Sequence, residues 1–245
     1  MPRRRPRPTG TLVVATGLVA LLSSCGGGGG LQSESASQVL STAVAAAGNA
    51  GTFHFVDKEG AGRQTRLLTG DTGTVAAQQT SSGDGERLVV SLVAGVAYVE
   101  ASSITLMNYF GLSTTQATQE SGKWVSVTKG EKGYRQIVQS LTPEAELDAY
   151  IPETGLSIGK QRVLHGIPVL PVSGTAPATD SSSGLPAVAT LFVSLSAPYL
   201  PVGGAVSGTD VHGRKQSEEV AFTRWGEKVH LSAPADTVSL ASLVG

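Results

Sequence analysis

The stretch Arg87-Leu88-Val89-Val90-Ser91-Leu92-Val93-Ala94-Gly95-Val96-Ala97-Tyr98-Val99-Glu100 reads as two strands joined by a two-residue turn. Val, Leu and Tyr recur at a period of two, and Ala94-Gly95 sits where a tight antiparallel hairpin needs a residue free to take positive φ. Leu88, Val90 and Leu92 fall on one face and Val89 and Val93 on the other, so both faces of this strand are expected to be at least partly covered. Upstream, Phe53 and Phe55 alternate with Thr52 and His54, and strand-like segments follow at 63–69 and 74–80, separated by Gly, Asp and Ser. Short strands at this spacing predict an antiparallel meander.

Between Ser102 and Tyr150 the apolar period becomes helical, with helices predicted over 104–110, 113–120, 134–140 and 143–150. Thr142 is placed to cap the last of these, with Pro143 in the favoured first position. Gly122-Lys123-Trp124-Val125-Ser126-Val127 reads as a strand inside this helical insert. Strands resume at 160–164 and 167–172 around His165-Gly166, and a loop rich in Ser, Thr, Pro and Ala runs from Gly174 to Pro186. Further strands are expected at 188–196, 204–211, 216–222 and 228–232. An earlier helix starts at a capping box, Ser35-Ala36-Ser37-Gln38, and carries Val39, Leu40, Ala43, Val44 and Ala47 to Gly48. Period-two segments at both ends enclosing a helical middle predict one α+β domain.

The chain has 245 residues, 31 of them Gly, with a single Cys and formal net charge −1. One Cys cannot form an internal disulfide, so packing must hold the domain together. Arg3, Arg4, Arg5 and Arg7 precede any acid, a 12-residue apolar run covers Thr11 to Leu22, and Leu22-Ser23-Ser24-Cys25 closes it. That order is a secretory signal peptide; the apolar run falls short of the roughly 20 residues a spanning helix needs. Leu22-Ser23-Ser24-Cys25 resembles the bacterial lipobox, in which small residues admit the peptidase and the thiol takes a diacylglyceryl group. Two acyl chains, at about 0.8 kcal/mol per buried methylene, anchor stably where one would only dwell. The expected organisation is a signal peptide at 1–24, lipidated Cys25 with a Gly/Ser leash through residue 37, a folded domain at 38–234 and a tail at 235–245. Loss of the four arginines with the signal peptide takes the net charge from −1 to −5, which leaves no cationic surface for nucleic acid.

Chemical motifs are sparse. Gly155-Leu156-Ser157-Ile158-Gly159 matches the nucleophile-elbow pattern, but that motif needs a strand before it and a helix after it; residues 151–154 make a poor strand and 160–164 read as a strand. His54, His165, His212 and His230 lack the spacing that places two imidazoles on one helical face, so no metal site is expected. Glu144, Glu146 and Asp148 read as a solvated helix face with acids near the positive end of the dipole. Trp225-Gly226-Glu227-Lys228-Val229 reads as a hairpin with an aromatic packed at its turn.

Taken in order, the lipobox at Cys25, Tyr98-Val99-Glu100, Gly122-Lys123-Trp124-Val125, His165-Gly166-Ile167-Pro168-Val169, Ser194-Leu195-Ser196-Ala197-Pro198 and Trp225-Gly226-Glu227-Lys228-Val229 resemble the actinobacterial lipoproteins of the LppX/LprG type. The likeness spans roughly Val39 to Pro234. It implies a LolA-like fold, a single curved antiparallel half-barrel with helices over its concave face, and a lipid or glycolipid held in an apolar cavity. It implies no catalytic residue, metal or cofactor. Two functions are compatible with it: a lipid-binding or lipid-transporting envelope lipoprotein on the extracytoplasmic face of the cell membrane, or a structural lipoprotein with a filled core that binds an envelope protein. Candidate cavity walls are Phe53, Phe55, Val90, Leu92, Leu106, Phe110, Ile137 and Leu141. Cys25→Ala is expected to abolish incorporation of radiolabelled palmitate and to release the chain from the membrane fraction or leave it unprocessed; wild-type labelling of the variant would contradict the anchor.

Overall fold

The computed structural model describes residues 30–61, 64–83, 86–177, 187–209 and 213–244, so the expected signal peptide, Cys25 and His212 lie outside the described residues. A short 3-10 turn at Leu31–Ser33 leads into α1 (Ala36–Ala50). Ser35 caps α1 reciprocally with Gln38, and Gly51, at φ 73°, ends it in the left-handed conformation. A meander follows: β1 (His54–Ala61), β2 (Gln64–Asp71), β3 (Ala76–Gly83), β4 (Glu86–Val93) and β5 (Val96–Glu100). The β4–β5 turn has Ala94 at φ 49° and Gly95 at φ 81°, both positive as a two-residue hairpin turn of this kind requires. Val89 and Val90, on opposite faces of β4, are both buried.

The helical insert contains α2 (Ser103–Phe110), α3 (Thr114–Glu120), α4 (Tyr134–Ser140) and α5 (Pro143–Asp148), with β6 (Trp124–Val127) between α3 and α4. Side chains of Ser102, Ser113 and Thr142 accept backbone N–H bonds at the starts of α2, α3 and α5. Such caps are worth about 1 kcal/mol each, which matters for helices of six to eight residues that could not persist alone. The chain then forms β7 (Thr154–Ile158), β8 (Arg162–Leu164), β9 (Ile167–Thr175), β10 (Val188–Ser194), β11 (Pro201–Thr209) and β12 (Lys215–Thr223), and ends with β13 (Val238–Ser239) and α6 (Leu240–Val244). Among the described residues thirteen strands join one unclosed sheet, in the order β13-β6-β5-β4-β3-β2-β1-β12-β11-β10-β9-β7, with β8 also paired to β9. Every pairing is antiparallel except β13 with β6. The fold is α+β with one large, mostly antiparallel sheet.

Register shows which residues share a face. Phe55 lies opposite Gly70, Gly70 opposite Gln79, Gln79 opposite Val90, and Val90 opposite Val99. In the other direction Phe55 lies opposite Phe222, while Val220 lies opposite Gly204 and Gly204 opposite Leu191. One face therefore runs unbroken from β5 to β9, and the helices cover it in two groups. Val39, Leu40, Ala43 and Ala47 of α1 pack with Phe53, Phe55, Leu170, Leu191 and Phe222. Leu106, Phe110, Ala117 and Ile137, from α2 to α4, pack with Val90, Leu92, Val99 and Val125.

Several expectations are corrected. Packing starts before residue 38, because Leu31 is only 2% exposed and joins the α1 cluster, so the leash is shorter than the sequence suggests. Residues 235–245 are not merely a tail: β13 pairs with β6 and Leu240 is buried in the α2–α4 cluster. No strand forms at 228–232, and residues 225–229 make no hairpin. β12 already has β11 and β1 on its two sides, so the chain leaving it has no free ladder. It is tied instead to Thr52, whose carbonyl accepts from Gly226 N–H and whose hydroxyl donates to the Glu227 carbonyl at 2.7 Å. The helix expected to reach Tyr150 ends at Asp148. Residues 154–158 are a strand, and Ser157 pairs with Ser173 on it, so the G-x-S-x-G pattern has no strand-to-helix elbow and carries no nucleophile geometry.

Gly204 is where the Tyr150 ring meets the sheet: a Cβ there would stand 2.6 Å from Tyr150 Cβ and Cγ. Gly204→Ala is therefore expected to cost about 1–3 kcal/mol through overpacking. Gly48, inside α1 with nothing within 4 Å of a built Cβ, should gain about 0.5–1 kcal/mol on Gly48→Ala. Thermal melts of the two variants, shifting in opposite directions, check this placement; equal shifts would contradict it.

Candidate functional site

The eight residues expected to line a cavity are all at most 7% exposed, but they do not form one group. Phe53 and Phe55 belong to the α1 cluster, while Val90, Leu92, Leu106, Phe110, Ile137 and Leu141 belong to the α2–α4 cluster. Phe53 is part of an aromatic stack, 5.1 Å between ring centroids from Phe222 and 4.6 Å from Trp225. Each of these side chains packs on others, so the covered face is occupied by the protein's own residues where the helices lie on it.

Beside the α1 cluster, where the rows of Phe55 and Val220 continue, the covered face carries acids. Asp57 is on β1 in alternation with Phe53 and Phe55, and Glu218 is on β12 in alternation with Val220 and Phe222, so both project to the same side. α5 brings Glu146 over them, and the turn after it brings Tyr150, whose hydroxyl donates to Glu218 Oε1 at 2.5 Å. Asp57 is 5% exposed, and its Oδ1 has no hydrogen-bond partner. Burial, with the Glu218 charge adding to it, pushes the Asp57 carboxyl up to about 7. Burial, with Asp57 and Glu218 adding to it, pushes Glu146 up to about 8. The Tyr150 phenol is held well above its ordinary range, first by burial and then by the neighbouring carboxylates. No lysine, arginine or histidine is among the groups shifting these three.

The reading of Glu144, Glu146 and Asp148 as one solvated face is corrected at Glu146, because α5 lies on the sheet through Pro143 and Leu147, which half-buries Glu146 and leaves Glu144 and Asp148 exposed. The signal for the seam was present in the period of two. Phe53-x-Phe55-x-Asp57 and Glu218-x-Val220-x-Phe222 each continue an apolar face into a carboxylate. Among the described residues no set of three or more His, Cys, Asp or Glu is arranged to hold a metal ion.

A second concavity lies beside α1. It is an open groove of about 720 Å³ between Ala45, Ala46 and Asn49 of the helix and Pro198, Leu200 and Trp225. Trp225 lines it and donates its indole N–H to the Pro201 carbonyl at 3.0 Å, while its ring packs against Phe53. The groove thus opens directly above the aromatic part of the α1 cluster. Among the described residues no helix is long and apolar enough to cross a membrane.

No protein-family model matches the sequence, and no curated protein matches it either. Solved structures do match. The crystal structure of LprF from Mycobacterium bovis is 15% identical, with a TM-score of 0.50, and the likeness covers 82% of this chain and 97% of that one. An uncharacterized conserved protein from Thermus thermophilus is 12% identical over 84% of this chain and 99% of its own, at a TM-score of 0.39. A putative outer membrane lipoprotein-sorting protein domain from Vibrio parahaemolyticus is 10% identical over 80% of this chain and 95% of its own, at 0.31. The fold is that of LprF, a lipoprotein of the mycobacterial LppX/LprG type.

The raised carboxyl groups make stability depend on pH. A carboxyl whose folded pKa lies above its unfolded value holds its proton more tightly in the folded state, so stability falls as pH rises from the unfolded value near 4 through the folded values of about 7 and 8. Asp57→Asn with Glu146→Gln removes that loss. At 1.36 kcal/mol per unit, and with two coupled groups counted once, the variant is expected to gain about 2–4 kcal/mol on the wild type between pH 4 and pH 8. Denaturant unfolding across that range checks it; parallel stability profiles would contradict the buried seam.

Proposed function

We propose that this chain is a non-catalytic lipoprotein of the cell envelope, held at the extracytoplasmic face of the membrane by diacylglyceryl-modified Cys25, that binds a lipid or other lipophilic ligand between its sheet and its helical cover. The observation that carries the reading is the cover itself. A broad apolar sheet face is closed by four short helices, α2 to α5, of six to eight residues each, three of them capped by a Ser or Thr side chain, and α5 spans a seam of uncompensated carboxyl groups. Short helices resting on a sheet can lift without breaking its ladders, and an acyl chain would replace the apolar contacts they leave. The groove over Trp225 gives such a chain an entry above the α1 cluster. The LprF-type fold and the order of basic, apolar and lipobox residues before Cys25 support the same reading.

The close packing of the eight candidate wall residues supports a second reading, a lipoprotein with a filled core that binds an envelope protein. The two separate in one experiment. Organic extraction of the full-length protein removes non-covalent lipid and leaves the thioether anchor in place, so mass spectrometry of the extract reports the ligand alone. The carrier reading predicts a near-stoichiometric lipid that Leu92→Trp and Phe110→Arg reduce several-fold by filling or charging its space. Absence of lipid from the wild type, with both variants losing many degrees of melting temperature, would favour the filled core.

A further inference from the structure

The end of the sheet where α1 begins carries an exposed apolar hairpin. β8 and β9 turn through His165 and Gly166, at φ 49° and 81°, and pair Arg162 with Val169, Val163 with Pro168 and Leu164 with Ile167. Opposed residues share a face, so Val163 and Pro168 point to one side and Leu164 and Ile167 to the other: the tip is apolar on both sides. Arg162 and Leu164 cover Phe192, with the guanidinium carbon 4.0 Å from the ring centroid. Val163 is left 67% exposed and Ile167 40%, and Ile158 at the end of β7 is exposed beside them. Lys160, Arg162 and His165 are exposed too, and no acid occurs from Thr154 to Pro168.

The chain enters the domain at the root of this hairpin. The Gln32 amide donates to Gln161 Oε1 at 2.9 Å, and Leu31 is buried in the α1 cluster. Cys25 lies six residues before Leu31, a covalent reach of at most about 20 Å. Val163 lies two residues beyond Gln161, a further ~7 Å along a strand. A lipid on Cys25 therefore holds the apolar tip next to the bilayer it enters.

We propose that the β8–β9 tip is a second, reversible membrane contact, in which Val163 and Ile167 enter the interfacial layer of an anionic phospholipid bilayer and Lys160 and Arg162 meet its phosphates. The proposal rests on lipidation of Cys25. It also orients the groove, since register places the β9 start, the β10–β11 loop holding Pro198 and Leu200, and Trp225 after β12 at this same end, and the Leu195 N–H donates to the Pro168 carbonyl at 3.0 Å. Docking at the tip turns the mouth of the groove toward the lipid.

The test uses the full-length lipidated protein in mixed phosphatidylcholine–phosphatidylglycerol vesicles. The thioether consumes the chain's only native thiol, so Val163→Cys labels uniquely with an environment-sensitive nitrobenzoxadiazole dye. Val188→Cys is the control, because Val188 is also solvent-facing, at 50% exposure, and pairs with Thr175 at the opposite end of β9. The label at 163 is expected to be several-fold less quenched by aqueous iodide than the label at 188, and quenched by acyl-brominated lipid when 188 is not. Adding Lys160→Glu and Arg162→Glu should restore iodide access at 163. Equal iodide quenching at the two positions, with the intact mass confirming modified Cys25, would overturn the docking contact alone. A mass showing unmodified Cys25 would overturn the anchor, and the docking contact with it.

Discussion

The structure depends on one constraint, the need to cover a single apolar face that runs without interruption across an unclosed sheet. Antiparallel register carries that face from Val99 on β5 through Val90, Gln79, Gly70 and Phe55 to Phe222, and onward through Val220, Gly204 and Leu191. A closed barrel would fill such a face with its own opposite wall. Here helices do it, and burying a Leu or Phe side chain under them is worth about 1.5–3 kcal/mol. α1 covers one half and α2 to α4 the other, which explains why the apolar contacts divide into two clusters although the sheet beneath is one.

The covered face also has an electrostatic weak point. Beyond Phe55 and Val220 of the α1 cluster, Asp57 and Glu218 continue the inward-facing rows, and α5 closes over them with Glu146 and Tyr150. A buried carboxyl without a cation costs less when protonated, so this seam is strongest in mildly acidic conditions and weakens as its protons leave. The weak point of the cover therefore lies under α5. Tyr150 limits how far that weakening goes, because its ring fills the space left by Gly204 and its hydroxyl satisfies Glu218.

Much of this was legible in the residues. The capping box at Ser35, the Thr142-Pro143 helix start, the two-residue turn at Ala94-Gly95 and the switch from period two to helical period around Ser102 are local signals, and the structure follows them. What was not legible depends on partners distant in the chain. Thr154–Ile158 has a weak pattern and becomes a strand because the edge of β9 is open to it. Lys228 to Ser232 has a better pattern and forms none because both edges of β12 are taken. Leu31 and Leu240 stand next to Gly-rich and polar stretches, yet each is buried by elements far away in sequence. Glu146 looked solvated because its burial comes from β1 and β12, not from its own helix.

If the helical cover is a separable layer on a stable sheet, it should open before the sheet does. Native-state amide hydrogen exchange of the full-length protein, followed at rising denaturant and at pH 6 and pH 8, measures this directly. The account predicts that amides of α2 to α5 exchange through a partial opening well below the global unfolding free energy, that this opening becomes easier at pH 8, and that β1, β4 and β12 exchange only on global unfolding. Helices and strands merging into one exchange isotherm at both pH values would contradict it.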